Sequence, residues 1–275
     1  MDDIMVVGNA ANGLAAEDRA ALVEAVRVLE RPSLAARLSA LAGRPLDLLG
    51  RVLPAPLQEA VTRAAEAALK ASLRLALGSL RRGRPDRSGR LHKALAAGSG
   101  AVGGAFGLAS LPLELPISTT IMLRAIADIA RSEGEDLGNP EAALACVQVF
   151  ALGGRSDADS LAESGYFAVR GALAKSVSEA ARYIAERGLV EEGAPALVRF
   201  AAQVAARFGF VVSQKLAAQA VPVIGALGGA ALNAAFTDHF QAIARGHFTV
   251  RRLERVYGKD AVRAAYEEIR TAEGV

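Results

Sequence analysis

Two long stretches of this chain carry no charge at all: Ala94 to Leu113, twenty residues, and Leu216 to Thr237, twenty-two. Both are rich in alanine and glycine. In the first, Gly100 and Gly104 stand four apart, as do Gly103 and Gly107, and Gly225 and Gly229 repeat the spacing in the second. On a helix this spacing lines glycines along one edge, and each costs about 1 kcal/mol relative to alanine. Close approach of two helices, with little side chain between them, offsets such a cost. The expectation is an all-α, multi-helix single domain in which the two Gly/Ala-rich segments are neighbouring helices at the centre.

The rest of the composition agrees with helices. About 60 of the 275 residues are alanine, tryptophan is absent and aromatics make up 5%. Alanine has the best helix propensity, whereas strands favour β-branched and aromatic residues, so an all-β fold is excluded. With 52% hydrophobic and 22% charged residues, disorder is excluded too. Apolar residues at Leu22, Val23, Val26 and Leu29 predict an amphipathic helix from Glu17 to Leu29 that ends before Pro32. A second is predicted over Leu57 to Leu80, stopped by Gly83 and Pro85. A third starts at Glu114 and runs to about Glu133. Asn139-Pro140 is a helix start, with Asn as cap and Pro in the first turn, and Gly153-Gly154 closes that helix. Another spans Leu161 to Arg187, and the tail from Thr249 to Ala272 reads as one or two short charged helices about Gly258. This divides the chain into an amino-terminal helical region, 1–90, a helical core, 91–257, and a helical tail, 258–275.

Between the second helix and the first uncharged stretch lies a basic hinge. Arg81, Arg82, Arg84, Arg87, Arg90 and Lys93 stand against a lone Asp86. Such a cluster suits the anionic inner leaflet of a membrane. Twenty uncharged residues are long enough to cross about 30 Å of hydrocarbon, but Ala and Gly contribute little transfer energy, and Pro112 and Pro222 interrupt the two stretches. A peripheral or reversibly inserting state follows more naturally than a stable span, and central helices of a soluble bundle are the competing reading. No aromatic residues interleave the hinge, which argues against single-stranded nucleic acid as a partner. Asp2 and Asp3 precede any positive charge, so no secretory leader is expected, and the single Cys146 forms no intramolecular disulfide. Both suit a cytoplasmic protein.

Few residues offer chemistry. Gly98, Gly100 and Gly103 spell the dinucleotide fingerprint, but the segment before them reads as helix where that fingerprint needs a strand. No cofactor is expected. Glu114, in the apolar string from Pro112 to Pro116, needs a partner such as Arg124, a histidine or free backbone N–H groups. Arg124 and Asp128 are four apart and can pair. Asp238 and His239 close the second uncharged stretch, and Arg245 and His247 follow. On one helix His239 and His247 differ in direction by about 80°, outside the i, i+4 geometry of a helical metal site. With His92 and Glu114 they would form a metal-assisted hydrolytic centre only if the fold gathered them. Spacing does not demand it, and no metal is assigned; the alternative role of each histidine is a half-buried hydrogen-bonding residue. Cys146 lies in an apolar helix with no base beside it in sequence and reads as a buried inert thiol.

Three blocks, GSGAVGGAFGLASLPLELPISTTIMLRAIADIARSEGEDL, CVQVFALGG and VPVIGALGGAALNAAFTDHFQAIARGHFTVRRLE, together resemble the EcsC family, whose namesake is encoded beside a bacterial ABC exporter. The resemblance runs from Leu91 to Tyr257, and the first ninety residues carry no family block. It implies a bacterial protein, cytoplasmic or peripheral to the inner face of the cell membrane, with an accessory role in transport or the envelope. It brings no catalytic residues with it. Glu114, Arg124, Asp128, Asp238, His239, Arg245 and His247 fall inside the blocks and are the candidates for a polar site. The basic hinge is the candidate surface for anionic lipid or for a membrane partner such as an ABC transporter.

Overall fold

The computed structural model describes residues 13–30, 55–80, 111–154, 165–187, 194–219 and 228–275. For 55–58, 75–80, 111–114, 217–219 and 228–232 it describes the helical backbone alone. Eight helices and no strand make up the described residues: α1 (Ala16–Leu29), α2 (Ala55–Leu80), α3 (Leu111–Ser132), α4 (Pro140–Leu152), α5 (Gly165–Arg187), α6 (Pro195–Gln219), α7 (Gly228–Tyr257) and α8 (Lys259–Glu273). The fold is all-α, as the composition requires.

Several predicted boundaries hold. Asn139 caps α4, its side chain accepting from the Glu141 N–H at 2.9 Å; Pro140 occupies the first turn and Gly153 ends the helix. Others move for identifiable reasons. α3 begins three residues before Glu114, because Pro112 in a first turn lacks an N–H that would have no partner there anyway. Pro116 lies inside the same helix. Thr249 to Tyr257 is no separate short helix but the end of α7, whose thirty residues make it about 45 Å long. The chain then turns at Gly258, φ +86°, a left-handed region that favours glycine, into α8.

Among the described helices, α4 is the one most enclosed. It packs against α2, α3, α5, α6 and α7, and every residue from Ala142 to Leu152 is buried. An apolar residue at nearly every position leaves such a helix no solvent face. Around it, Phe150 of α4, Phe208 of α6 and Phe236 and Phe240 of α7 form an aromatic cluster with ring centroids 5.1 to 6.2 Å apart. The expected seam between the two glycine-rich segments lies largely outside the described residues, at 94–110 and 220–227. What the structure describes of the second stretch is divided between the end of α6 and the start of α7.

Close helix contact through glycine does occur, at other positions. A Cβ on Gly154 would stand 2.5 Å from the Arg207 carbonyl oxygen, and one on Gly246 of α7 would stand 2.9 Å from Leu29 Cγ of α1. The Arg207 carbonyl belongs to the backbone of α6 and cannot rotate away. Gly154→Ala is therefore expected to force α4 and α6 apart and destabilise by about 1–3 kcal/mol. Gly171→Ala, where a Cβ meets nothing within 4 Å, is expected to be neutral or to stabilise by up to about 1 kcal/mol. Denaturant midpoints of the two variants check this pair, and equal midpoints would remove the steric account.

α6 is also the one described helix long and apolar enough, by length and composition, to cross a membrane: Pro195–Leu216, mean hydropathy 1.4. Half of its apolar window is buried within the bundle.

Candidate functional site

The second half of α7 carries His247, Arg251, Arg252, Glu254, Arg255 and Tyr257, and two networks of long-range hydrogen bonds converge on it. His247 is fully buried, and its Nδ1 lies 2.9 Å from the Tyr166 hydroxyl of α5. Arg170, one turn beyond Tyr166, donates to the same hydroxyl oxygen at 3.1 Å and grips the Glu254 carboxylate with two bonds of 2.8 and 2.9 Å. Since the Tyr166 oxygen accepts from Arg170, its proton is best directed to His247 Nδ1, which leaves the imidazole proton on Nε2. The Tyr166 ring stacks on Tyr266 of α8 at 5.6 Å, and the Tyr266 hydroxyl donates to Glu30, just past α1, at 2.9 Å. One polar chain thus ties α1, α5, α7 and α8 together.

A second network follows one turn along. Glu135, in the turn after α3, is buried and accepts from Arg251 at 2.8 and 3.2 Å and from Arg255. Glu133 accepts from Arg252 at 2.9 Å and from the Thr249 hydroxyl at 3.3 Å. Asp18 of α1 accepts from Arg252 at 2.8 Å and from the Tyr257 hydroxyl at 2.7 Å. Positive and negative groups alternate, so the cluster is internally neutralised.

Protonation states fit a structural role. Burial pushes the Tyr166 phenol up to about 12, so it stays protonated. Burial, helped by the charges of Arg170 and Arg251, holds His247 well below its ordinary range and neutral. Burial works to raise the Glu135 carboxyl, but the hydrogen bond and charge of Arg251 and those of Arg255 outweigh it, and the net direction is down. Burial pushes the Cys146 thiol up to about 12, which removes it as a thiolate nucleophile. None of these groups offers an exposed acid, base or nucleophile.

The residues singled out from the sequence are dispersed. His239 and His247 share α7, but eight residues separate them, about 12 Å along the axis. His239 is buried beside Phe240, with Nε2 donating to the Gly153 carbonyl at 3.1 Å. Two ring nitrogens so far apart do not share an ion held by bonds of about 2 Å. Among the described residues no group of three or more His, Cys, Asp or Glu is placed to hold a metal. Asp238 and Arg245 sit on the exposed side of α7. Asp128 pairs with Arg131 at 2.9 Å rather than with the half-buried Arg124. The Glu114 side chain, His92 and the basic hinge from Arg81 to Lys93 lie outside the described residues.

Sequence reasoning named His247 but missed its partners. Glu30, Tyr166, Arg170, Glu254 and Tyr266 come from four separate segments, and the only local signal was the four-residue spacing of Tyr166 and Arg170. No curated protein and no solved structure matches the chain. The model of the EcsC protein family matches residues 18–253, so the family likeness reaches well upstream of Leu91, into the region where no block was recognised. It takes in the bundle from near the start of α1 almost to the end of α7, and this chain belongs to the EcsC protein family.

Proposed function

We propose that this EcsC-family protein is a non-enzymatic accessory or interaction protein at the inner surface of the cell membrane, serving an ABC exporter or another envelope process. The observation that carries the reading is the run of Arg81, Arg82, Arg84, Arg87, Arg90 and Lys93 placed directly before twenty uncharged residues. Each basic residue near an anionic leaflet contributes about 1 kcal/mol of attraction, and an adjoining apolar stretch supplies a weak insertion term. The described site adds indirect support. Its buried ionisable groups are paired with one another or held neutral, an arrangement that orders helices rather than performing turnover. Val198 and Phe210 are exposed along the apolar α6, which gives the bundle a second apolar element to set against lipid.

Flotation with vesicles containing phosphatidylglycerol is expected to carry the protein upward at low salt and to lose most of it by about 0.5 M salt, where the Debye length falls to a few ångströms. Replacing Arg81, Arg82, Arg84 and Arg87 together by Gln is expected to weaken binding at least 30-fold. Binding that ignores both salt and these four residues would remove the hinge from the account, and no flotation at low salt would remove the membrane from it.

A further inference from the structure

We infer that His247 is the proton-sensitive pin of a latch that holds the carboxy-terminal helix α8 onto α1, α5 and α7, so that mild acid releases α8. The inference goes beyond the membrane reading and does not depend on it.

The geometry is particular. α8 presents a buried stripe, Val262, Ala265, Tyr266 and Ile269, to the bundle. Its side-chain ion pairs to α1, Arg19–Glu268 and Arg27–Glu273, are solvent-exposed on at least one partner and contribute little. Its buried polar link is Tyr266, which donates to Glu30 and stacks on Tyr166. Tyr166 is itself placed by His247 and Arg170. The pin therefore sits one residue away from the surface that α8 covers.

An imidazolium does not suit that position. Protonated histidine has two N–H donors and no acceptor. Nδ1 faces a hydroxyl whose proton would then lose its acceptor. The neighbouring charges are unfavourable as well. α5 brings the Arg170 guanidinium and the Tyr166 phenol; α7 itself brings Arg251 one turn on and Glu254 two turns on. Glu254 is engaged by Arg170, and Glu135, after α3, by Arg251 and Arg255. Glu30, just past α1, and Tyr266 from α8 reach the ring only through Tyr166. Cys146 of α4, a neutral thiol, lies near Glu135 and Arg251. A third positive charge would join Arg170 and Arg251 with no free carboxylate to receive it.

The linkage has one direction. The closed form holds the imidazole neutral and well below its ordinary range, whereas an opened form lets it titrate near about 6.5. The closed form is thus fully favoured above that value. Below it, the opening equilibrium rises about tenfold per pH unit until the closed-state value is reached.

Amide hydrogen exchange of the intact protein between pH 7.5 and 5.2, corrected for intrinsic rates, tests this above the carboxylate range. Amides of Val262 to Ile269 are expected to lose about 20-fold protection over the lower part of that range, while Leu144 to Phe150 in α4 keep theirs. His247→Gln is expected to flatten the dependence, and His239→Gln to leave it unchanged. Should His247→Gln fail to fold, histidine ring signals of the wild-type protein decide the matter: the closed form must show one imidazole neutral, with its proton on Nε2, throughout. A pH-independent α8, a slope that survives His247→Gln, or three histidines all titrating near 6.5 in the closed protein would overturn the latch.

Discussion

Glu254→Ala is expected to destabilise the protein by about 3 kcal/mol, toward the lower end of the 3–5 kcal/mol that follows when one partner of a buried ion pair is removed. The Glu254 side chain is 8% exposed and that of Arg170 18%, so the abandoned guanidinium has little water to turn to. It would keep its bond to the Tyr166 hydroxyl and its position beside the Tyr166 and Phe167 rings, 5.4 and 5.6 Å from their centroids. The charge would nonetheless be uncompensated. The double variant Arg170→Met, Glu254→Leu is expected to recover most of the loss, since removing both charges removes the desolvation penalty with them. Glu186→Ala, which breaks an exposed pair with Arg182, is expected to change stability by less than about 0.5 kcal/mol. Denaturant midpoints at constant m-value report all three. A Glu254→Ala loss no larger than that of Glu186→Ala would show that the buried network carries no special weight.

The second large effect belongs to the aromatic cluster. Phe208→Ala is expected to destabilise by about 3–5 kcal/mol, because its ring is fully buried and touches rings from two other helices. Phe150, Phe236 and Phe240 would line the resulting space, and none closes it without leaving its own contacts. Phe208→Leu retains much of the volume, and its loss is expected to be about half as large. Equal losses for Ala and Leu would mean that ring-to-ring contact, rather than filled volume, decides stability at this position. Because Phe208 packs on Phe236 and Phe240, at least fourteen residues and about 21 Å along α7 from Glu254, its substitution and that of Glu254 are expected to add within about 0.5 kcal/mol.

How much of this was legible beforehand varies by element. α4 was readable almost to the residue, since the Asn139 cap, Pro140 and Gly153 are local signals that act within one turn of chain. α1 was readable from its apolar spacing. The extent of α7 was not, because Asp238, His239 and Arg245 interrupt an apolar pattern without breaking a helix, and only packing against α1, α3 and α8 shows that the chain continues straight through them. His239 and His247 each make a hydrogen bond, as expected of histidines without a metal, but both are buried rather than half-buried, and His92 lies outside the described residues. The proposed Arg124–Asp128 pair gave way to Asp128–Arg131, since on a helix surface the i, i+3 neighbour is as near as the i, i+4 one.

The family likeness was recognisable from blocks of sequence, although it extends further toward the amino terminus than those blocks suggested. By itself the sequence determined the helical class and the placement of several helices, because propensity, capping and periodicity act over a few residues. It also determined the basic hinge, because charge is a property of composition. Only tertiary structure decided that Glu30, Tyr166, Arg170, His247, Glu254 and Tyr266 form one polar chain. Their partners lie up to 236 residues apart, and hydrogen bonds form between groups that packing brings within about 3 Å, whatever their distance along the chain.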